Sequence, residues 1–411
     1  MELFTIVSLA LILIFALLLL RREGLLYSNK AAIAAIILTA AALAVRGWLF
    51  PHESDDYLNF LHPWTEFFRD NGGFKALAFF PGNYNPPYMY FLAVFSYFGI
   101  NELYLIKALS VIFDVLLAWS CVKLLSIYTE SKPRLLAVFF VILFLPTVVS
   151  NSAYWGQCDS IYTFFGIYAL YLGLRGKGVG SMVSLAACLA FKLQAVFIIP
   201  VFFVLLLAKK IKWRHLLVFP AAYVAFLLPA VVMGAPFGDM LTLYFSQAGS
   251  VGDAMNYNAP SLTAMFTWGE NTAESAKMLI IAAFILVAAV YAAAVFYIKN
   301  LDDRVILGFA LILTIGIPYL LPHMHDRYFY IAGMLSVVLA MTDLRFSFAA
   351  VFAEMASINV YHAYLVDPSS KVFYYFHPRV GSELMLAALL VSIAYAVVYI
   401  RKNRKIRFCQ D

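Results

Sequence analysis

Long apolar runs, each closed by a short polar or basic connector, repeat along the chain from end to end. Residues 3–20 form an unbroken apolar run that ends on Arg21 and Arg22, and a second run covers 31–50 and emerges at the sequence PHESDD. Further runs cover 105–127, 135–152, 160–174, 215–234, 278–298, 305–321, 327–341, 345–362 and 383–400. A helix needs roughly 20 apolar residues to cross a bilayer, so these runs predict membrane-crossing helices. The run 181–208 is too long for one upright crossing and too short for two full ones. It predicts two short helices that meet before the far surface, with Lys192 and Gln194 near the apex. Residues 86–100 are apolar but short, and are expected to be re-entrant or to lie in the interface. The pattern predicts an all-α polytopic bundle of about 13 spans by this length rule.

Composition agrees with that pattern. Hydrophobic residues make up 64% of the 411 and charged residues 13%, with a mean hydropathy of +0.85. Soluble domains carry about 25% charged residues, so a soluble enzyme, a disordered chain and a nucleic-acid-binding module are excluded. The net charge of +6 comes from short basic connectors at 129–134, 175–178, 209–215, 298–304, 342–345 and 401–407. By the positive-inside rule all of them face the cytoplasm. Parity through every crossing then requires 181–208 to turn back, and places the N-terminus outside and the C-terminus in the cytoplasm. The connectors point to a bacterial plasma membrane. Cys121, Cys158, Cys188 and Cys409 are scattered without metal spacing or a disulfide framework, and Cys121 and Cys188, inside apolar runs, read as small hydrophobes.

In this topology the polar clusters collect on the extracytoplasmic face. The first loop, 51–87, contains Glu53, Asp55 and Asp56 ahead of an amphipathic stretch, 57–68, whose apolar positions recur at helical spacing. Acidic residues at that point suit a helix N-terminus and also suit catalysis. Further clusters are GNYNPPYMY (82–90), SAYWGQCDS (152–160), FKLQ (191–194), a long loop at 235–277, PHMHDRYFY (322–330) and 366–383. Lys192 stands inside an apolar run, where it either snorkels to a helix end or faces an anion in a cavity. His323, His325 and Asp326 could bind a metal, sense pH, or join Arg327 in facing an anionic ligand. Gln157 and Asp159 cap a helix or contribute to a site. Tyr84 and Trp155 belong to an interfacial aromatic belt or stack on a sugar ring.

Together these motifs resemble GT-C glycosyltransferases, the multi-spanning enzymes that use lipid-phosphate sugars. They resemble most the bacterial relatives of the GPI-anchor mannosyltransferases, and similarly the dolichyl-phosphate-glucose glucosyltransferases. The resemblance rests on Asp56-Tyr57 followed by Trp64, Tyr84-Asn85-Pro86-Pro87, Gln157 in YWGQCDS, Lys192 with Gln194, and the PHMHDRYFY run. These occur in order across 31–330, which the resemblance makes the core module of a single domain spanning 1–411, with 331–411 as accessory helices. The helix at 3–20 is an addition to the family's layout, and Asp55 beside Asp56 leaves two acids for one catalytic position.

The resemblance implies an inverting transfer of a hexose, mannose or glucose, from a polyprenyl-phosphate donor to a glycan, lipid or protein acceptor. Phosphate leaves as a stable anion, so one carboxylate acting as general base is enough. Asp56 is expected in that role, with Asp55 as the alternate. Lys192, His325, Arg327 and Arg379 are the expected donor-phosphate ligands. Trp64, Tyr84, Asn85, Trp155, Gln157, Asp159, Gln194 and His323 are expected to bind substrate. No cofactor is required, and a divalent metal is compatible with the superfamily. A lipid-linked sugar flippase is a competing reading, but no internal repeat and no midplane charge cluster support it. A ligase or polymerase acting on lipid-pyrophosphate glycans is a third.

Overall fold

The computed structural model describes residues 2–249, 252–269, 272–366 and 375–408. Cys409 and the 367–374 part of the expected 366–383 cluster lie outside the described residues. Among the described residues the chain is mostly helical, with one two-stranded ribbon. In chain order the α-helices are α1 Glu2–Arg22, α2 Asn29–Leu49, α3 His62–Asp70, α4 Pro86–Phe95, α5 Glu102–Leu125, α6 Lys132–Phe144, α7 Pro146–Val149, α8 Asp159–Leu174 and α9 Gly178–Phe191. They continue as α10 Ile199–Leu207, α11 Val218–Met233, α12 Phe237–Gly249, α13 Ala273–Phe296, α14 Asp303–Leu320, α15 Tyr330–Thr342, α16 Phe348–Val366 and α17 Pro378–Phe408.

Local signals set the ends of several helices. The side chains of Ser28, Asn101 and Asp302 accept backbone N–H groups at the starts of α2, α5 and α14, satisfying donors that a helix start leaves open. Proline at or next to the first position opens α4, α6, α7 and α10.

The span count differs from the sequence expectation. Among the described residues, 7 helices are long and apolar enough to cross a membrane, or 8 if α6 and the Pro146–Tyr154 segment, bent by 50°, form one broken span. The expectation of about 13 is therefore corrected. Apolar run length overcounts because several runs do not form continuous helices of spanning length. The run 160–174 yields 16 helical residues and 327–341 yields 13. At about 1.5 Å per residue these fall short of a hydrocarbon core about 30 Å thick. The run 181–208 breaks at Lys192, as its length suggests, into Gly178–Phe191 and Leu193–Leu207. Residues 86–100 give only the ten residues of α4. The amphipathic stretch 57–68 is a π-helical turn, Tyr57–Leu61, leading into α3. The long segment 235–277 is not all loop, since α12 lies within it.

The helices divide into an inner and an outer set. The apolar windows of α5 and α14 are 67% and 83% buried, against 17% for α1 and α13 and 11% for the α11 span. The outer helices present apolar faces such as Phe284 and Phe296, as lipid-facing helices do. Titratable side chains are buried inside the bundle. Arg46 on α2 and Asp114 on α5 are fully buried and paired at 2.9 Å. Lys107 on α5 donates to the carbonyls of Phe50 and His52 at 3.0 and 2.5 Å, just past the end of α2. A cation there satisfies carbonyls that the helix end leaves open, and it fixes the start of the segment that leads to Asp56.

Candidate active site

One end of the inner helices encloses a cavity of about 660 Å³, a size that suits a small-molecule substrate pair. Segments far apart in sequence build its wall: the π-helical turn after Asp56, the 83–88 stretch, the 155–158 turn, the α9–α10 break, α12, the 254–258 strand, the 325–328 segment and α16. The short strand Asn256–Tyr257 pairs in parallel with Met324–His325, and the Tyr257 and His325 rings stack at 4.8 Å. That ribbon brings the two distant segments to one side of the cavity.

Asp56 is the focus. Its Oδ2 accepts Trp155 Nε1 at 2.9 Å, Gln157 Nε2 at 2.5 Å and Arg327 Nη1 at 2.9 Å. Its Oδ1 receives one long bond, 3.3 Å, from the Tyr364 hydroxyl. Three strong donors therefore fix one oxygen, while the other keeps lone-pair capacity for a further proton donor. Arg327 also lies over the Trp155 ring at 4.7 Å, and Tyr364 stacks on Trp155 at 4.9 Å. Trp155, fully buried, is thus engaged in holding Asp56 and Arg327 together.

The structure brings most of the expected site residues to this cavity. Asp56, Trp64, Tyr84, Asn85, Trp155, Gln157, Lys192, Gln194, His325 and Arg327 all line it. Trp64 and Tyr84 meet at 5.3 Å and Tyr84 meets Tyr88 at 5.7 Å, forming an aromatic wall. Burial pushes the Tyr84 hydroxyl up to about 12, against the pull of Lys192, so it stays a neutral donor. Asn85 donates to the Tyr223 hydroxyl at 2.9 Å.

Four expected residues are not in the wall. Asp55 is exposed beside it. Asp159 is buried behind Lys192, with which it forms an ion pair, and accepts Asn151 Nδ2 at 2.7 Å. His323 takes a left-handed φ of 62° and latches the segment just ahead of the Asn256–Tyr257 strand through Ala254 O at 2.8 Å and Met255 O at 2.9 Å. Arg379 pairs with Glu383 at 3.3 Å on exposed surface.

Other wall residues were not evident from sequence. Tyr328 stands beside Arg327, Tyr244 comes from α12, and Asn256, Tyr257 and Asn258 come from the Asn256–Tyr257 strand and the residue after it. Tyr364 comes from α16, within the part that the sequence sets apart as accessory. Only the tertiary fold joins these segments; Asp326, which the sequence offers as a candidate metal ligand, lines the same wall beside Arg327.

His325 and Asp326 are neutralised in opposite directions. Burial and the Arg327 charge lower His325 to about 4, against Asp56. It is neutral near pH 7 and offers a ring nitrogen, not a charge. Burial raises Asp326 to about 7, with Arg327 opposing and Asp56 reinforcing the shift. Each shift is linked to stability. Between about pH 4 and an ordinary 6.5, an unfolded His325 binds a proton that the folded one refuses, so its contribution falls as pH drops. Between an ordinary 3.8 and about 7, a folded Asp326 keeps a proton that the unfolded one has lost, so its contribution falls as pH rises. The two oppose each other in wild type. Asp326→Asn is expected to leave the His325 slope alone, with a melting temperature that declines from pH 6.5 toward pH 5 relative to wild type. His325→Gln is expected to show the reverse slope. Parallel slopes in the two variants would contradict the assignment.

A second, more open cavity of about 560 Å³ lies beyond Tyr57. Among the described residues, His62, Glu66 and Glu102 there form the one group close enough to share a metal ion. Arg69 already pairs with both Glu66 and Glu102, and His62 hydrogen-bonds Glu102, so each carboxylate already has a protein partner.

Comparison with known proteins matches residues 83–322 to the family described as Glycosyltransferase family 87. The matched stretch contains Tyr84, Asn85, Trp155, Gln157, Lys192 and Gln194. It begins after Asp56 and ends just before His323. No curated protein matches the chain.

Proposed function

The chain belongs to glycosyltransferase family 87, and from that premise we propose that it moves a hexose from a polyprenyl-phosphate donor to a hydroxyl acceptor, with inversion and with Asp56 as the base. The observation that carries this reading is the Asp56 carboxylate. It is anchored through Oδ2 by Trp155, Gln157 and Arg327, and has Oδ1 left with a single long bond at the cavity wall.

The acceptor hydroxyl gives its proton to Asp56 Oδ1 as its oxygen attacks the anomeric carbon. The bond from that carbon to the phosphate oxygen breaks on the opposite side, and polyprenyl phosphate leaves with its electron pair. No general acid is needed, because the leaving group is already an anion. This differs from glycoside hydrolysis, which uses two carboxylates. Arg327 and Lys192 supply positive charge in the same wall, where fixed charges stabilise the developing phosphate. His325, neutral at the working pH, donates a hydrogen bond to a phosphate oxygen. Trp64, Tyr84 and Tyr88 pack on the sugar, and Asn85 and Gln194 bind its hydroxyls. Asp159 acts from behind by holding Lys192 in place.

In this reading the cavity faces the extracytoplasmic side of a bacterial plasma membrane and the C-terminus lies in the cytoplasm. The sugar is mannose or glucose, and the acceptor is a glycan, lipid or protein. The test is incubation of detergent-purified protein with a panel of polyprenyl-phosphate sugars and a membrane extract as acceptor source. The expected result is transfer from one donor with stoichiometric release of polyprenyl phosphate. No transfer from any donor, with a defined hydroxyl acceptor present, would favour a lipid-linked sugar transporter.

A further inference from the structure

The segment 150–160 holds Asp56 from one side and is itself held from the other. Trp155 and Gln157 donate to Asp56. Behind them, Asp114 of α5 accepts the Ser152 hydroxyl at 2.6 Å on Oδ2 and the Ser160 hydroxyl on Oδ1. One carboxylate thus grips both ends of the turn that carries the two Asp56 donors. Arg46 completes it, with Nε on Asp114 Oδ2 at 2.9 Å and its remaining nitrogens on Leu143 O at 2.9 Å and Ala42 O at 3.1 Å. Arg46, Asp114, Ser152 and Ser160 are all fully buried.

Two charges buried among membrane helices are costly, and such a pair is a weak source of stability compared with apolar packing. Beyond Arg46, the hydrogen bonds of Asp114 go to the two ends of one short turn. That turn is a π-helical stretch, Ser150–Tyr154, closed by the Trp155 and Gln157 N–H groups on Ser150 O and Asn151 O, with Gly156 at a left-handed φ of 79°. Without outside anchors, its side chains would not be held to within the few tenths of an ångström that catalytic geometry requires.

We propose that Arg46 and Asp114 are the positioning pair of this enzyme, fixing the Trp155–Gln157 turn through Ser152 and Ser160 so that Asp56 is aimed at the acceptor. This rests on the reading of Asp56 as the base. Neither Arg46 nor Asp114 lines the cavity, so both act through other residues. The same turn is tied to the Asp56 segment a second way, by Ser54 Oγ donating to Trp155 O at 2.6 Å. The pair therefore controls orientation of the base, not the presence of the donor-binding wall.

The test is the double variant Ser152→Ala with Ser160→Ala, which leaves the ion pair intact and releases the turn. It is assayed with whichever donor wild type uses in the panel of polyprenyl-phosphate sugars. The expected result is a kcat lower by about 10- to 100-fold with KM for the donor within about three-fold of wild type, in a protein that stays monodisperse. Should the double variant not purify, the single Ser152→Ala variant is expected to show the same split at a smaller size. A folded variant with kcat within about two-fold of wild type overturns the inference, as does a rise in KM with kcat unchanged. A wild type that transfers nothing, or an Asp56→Asn protein that transfers normally, overturns the reading beneath it instead.

Discussion

Asp56→Asn protein is expected to fold, to keep its donor KM, and to turn over at least about a hundred-fold more slowly than wild type. Asparagine keeps the size of the side chain and one carbonyl oxygen for Trp155 and Arg327, which now reach Oδ2 at 2.9 Å each. It cannot take the proton from an acceptor hydroxyl. An effect on kcat with little on KM is the signature of a group that acts only in the transition state. Asp55→Asn is expected to stay within a few-fold of wild type, because Asp55 is exposed and outside the cavity wall. A normal rate for Asp56→Asn together with a collapsed rate for Asp55→Asn would reverse the two acids.

Arg327→Gln is expected to lower kcat by about a hundred- to a thousand-fold, the size of effect seen when a fixed donor to a developing anion is lost. It is also expected to raise donor KM, since Arg327 contributes charge to the ground-state complex too. The side chain has two tasks here: it faces the cavity and it anchors Asp56 at 2.9 Å while lying over Trp155. Lysine is not an adequate replacement, because a point charge cannot reproduce the planar contact with Trp155. Arg327→Lys is therefore expected to recover less than a tenth of the wild-type rate. Full recovery by lysine would show that only charge matters at this position. Steady-state kinetics with the identified donor check both variants.

The spanning helices and many residues of the candidate cavity were legible in the sequence, for different reasons. Apolar runs located α1, α2, α5, α11, α13, α14 and α17, because a run of spanning length leaves few alternatives to a helix in a chain this apolar. The same logic overcounted spans where proline or a polar residue breaks the helix, as at Pro146 and Lys192. Of the candidate site, the residues carried by compact polar motifs, Asp56, Tyr84, Gln157, Lys192 and Arg327, are brought to one cavity. Those reached only by folding were not legible. Tyr364 lies 308 positions from the aspartate it touches, and Asn256 and Tyr257 arrive through a two-residue parallel pairing that leaves no periodic trace. Arg46 and Asp114 are a different case. Asp114 stands within an apolar run, so the argument that singles out Lys192 applies to it equally. What the sequence could not show was its partner: two groups 68 positions apart that neutralise each other.

The proposed reaction is a single displacement at the anomeric carbon, driven by one carboxylate base. The anomeric configuration of the product tests it most directly, read by NMR of the glycoside formed from a donor of defined configuration. Clean inversion is expected. Retention would mean a double displacement or a front-face attack, and would contradict the role given to Asp56.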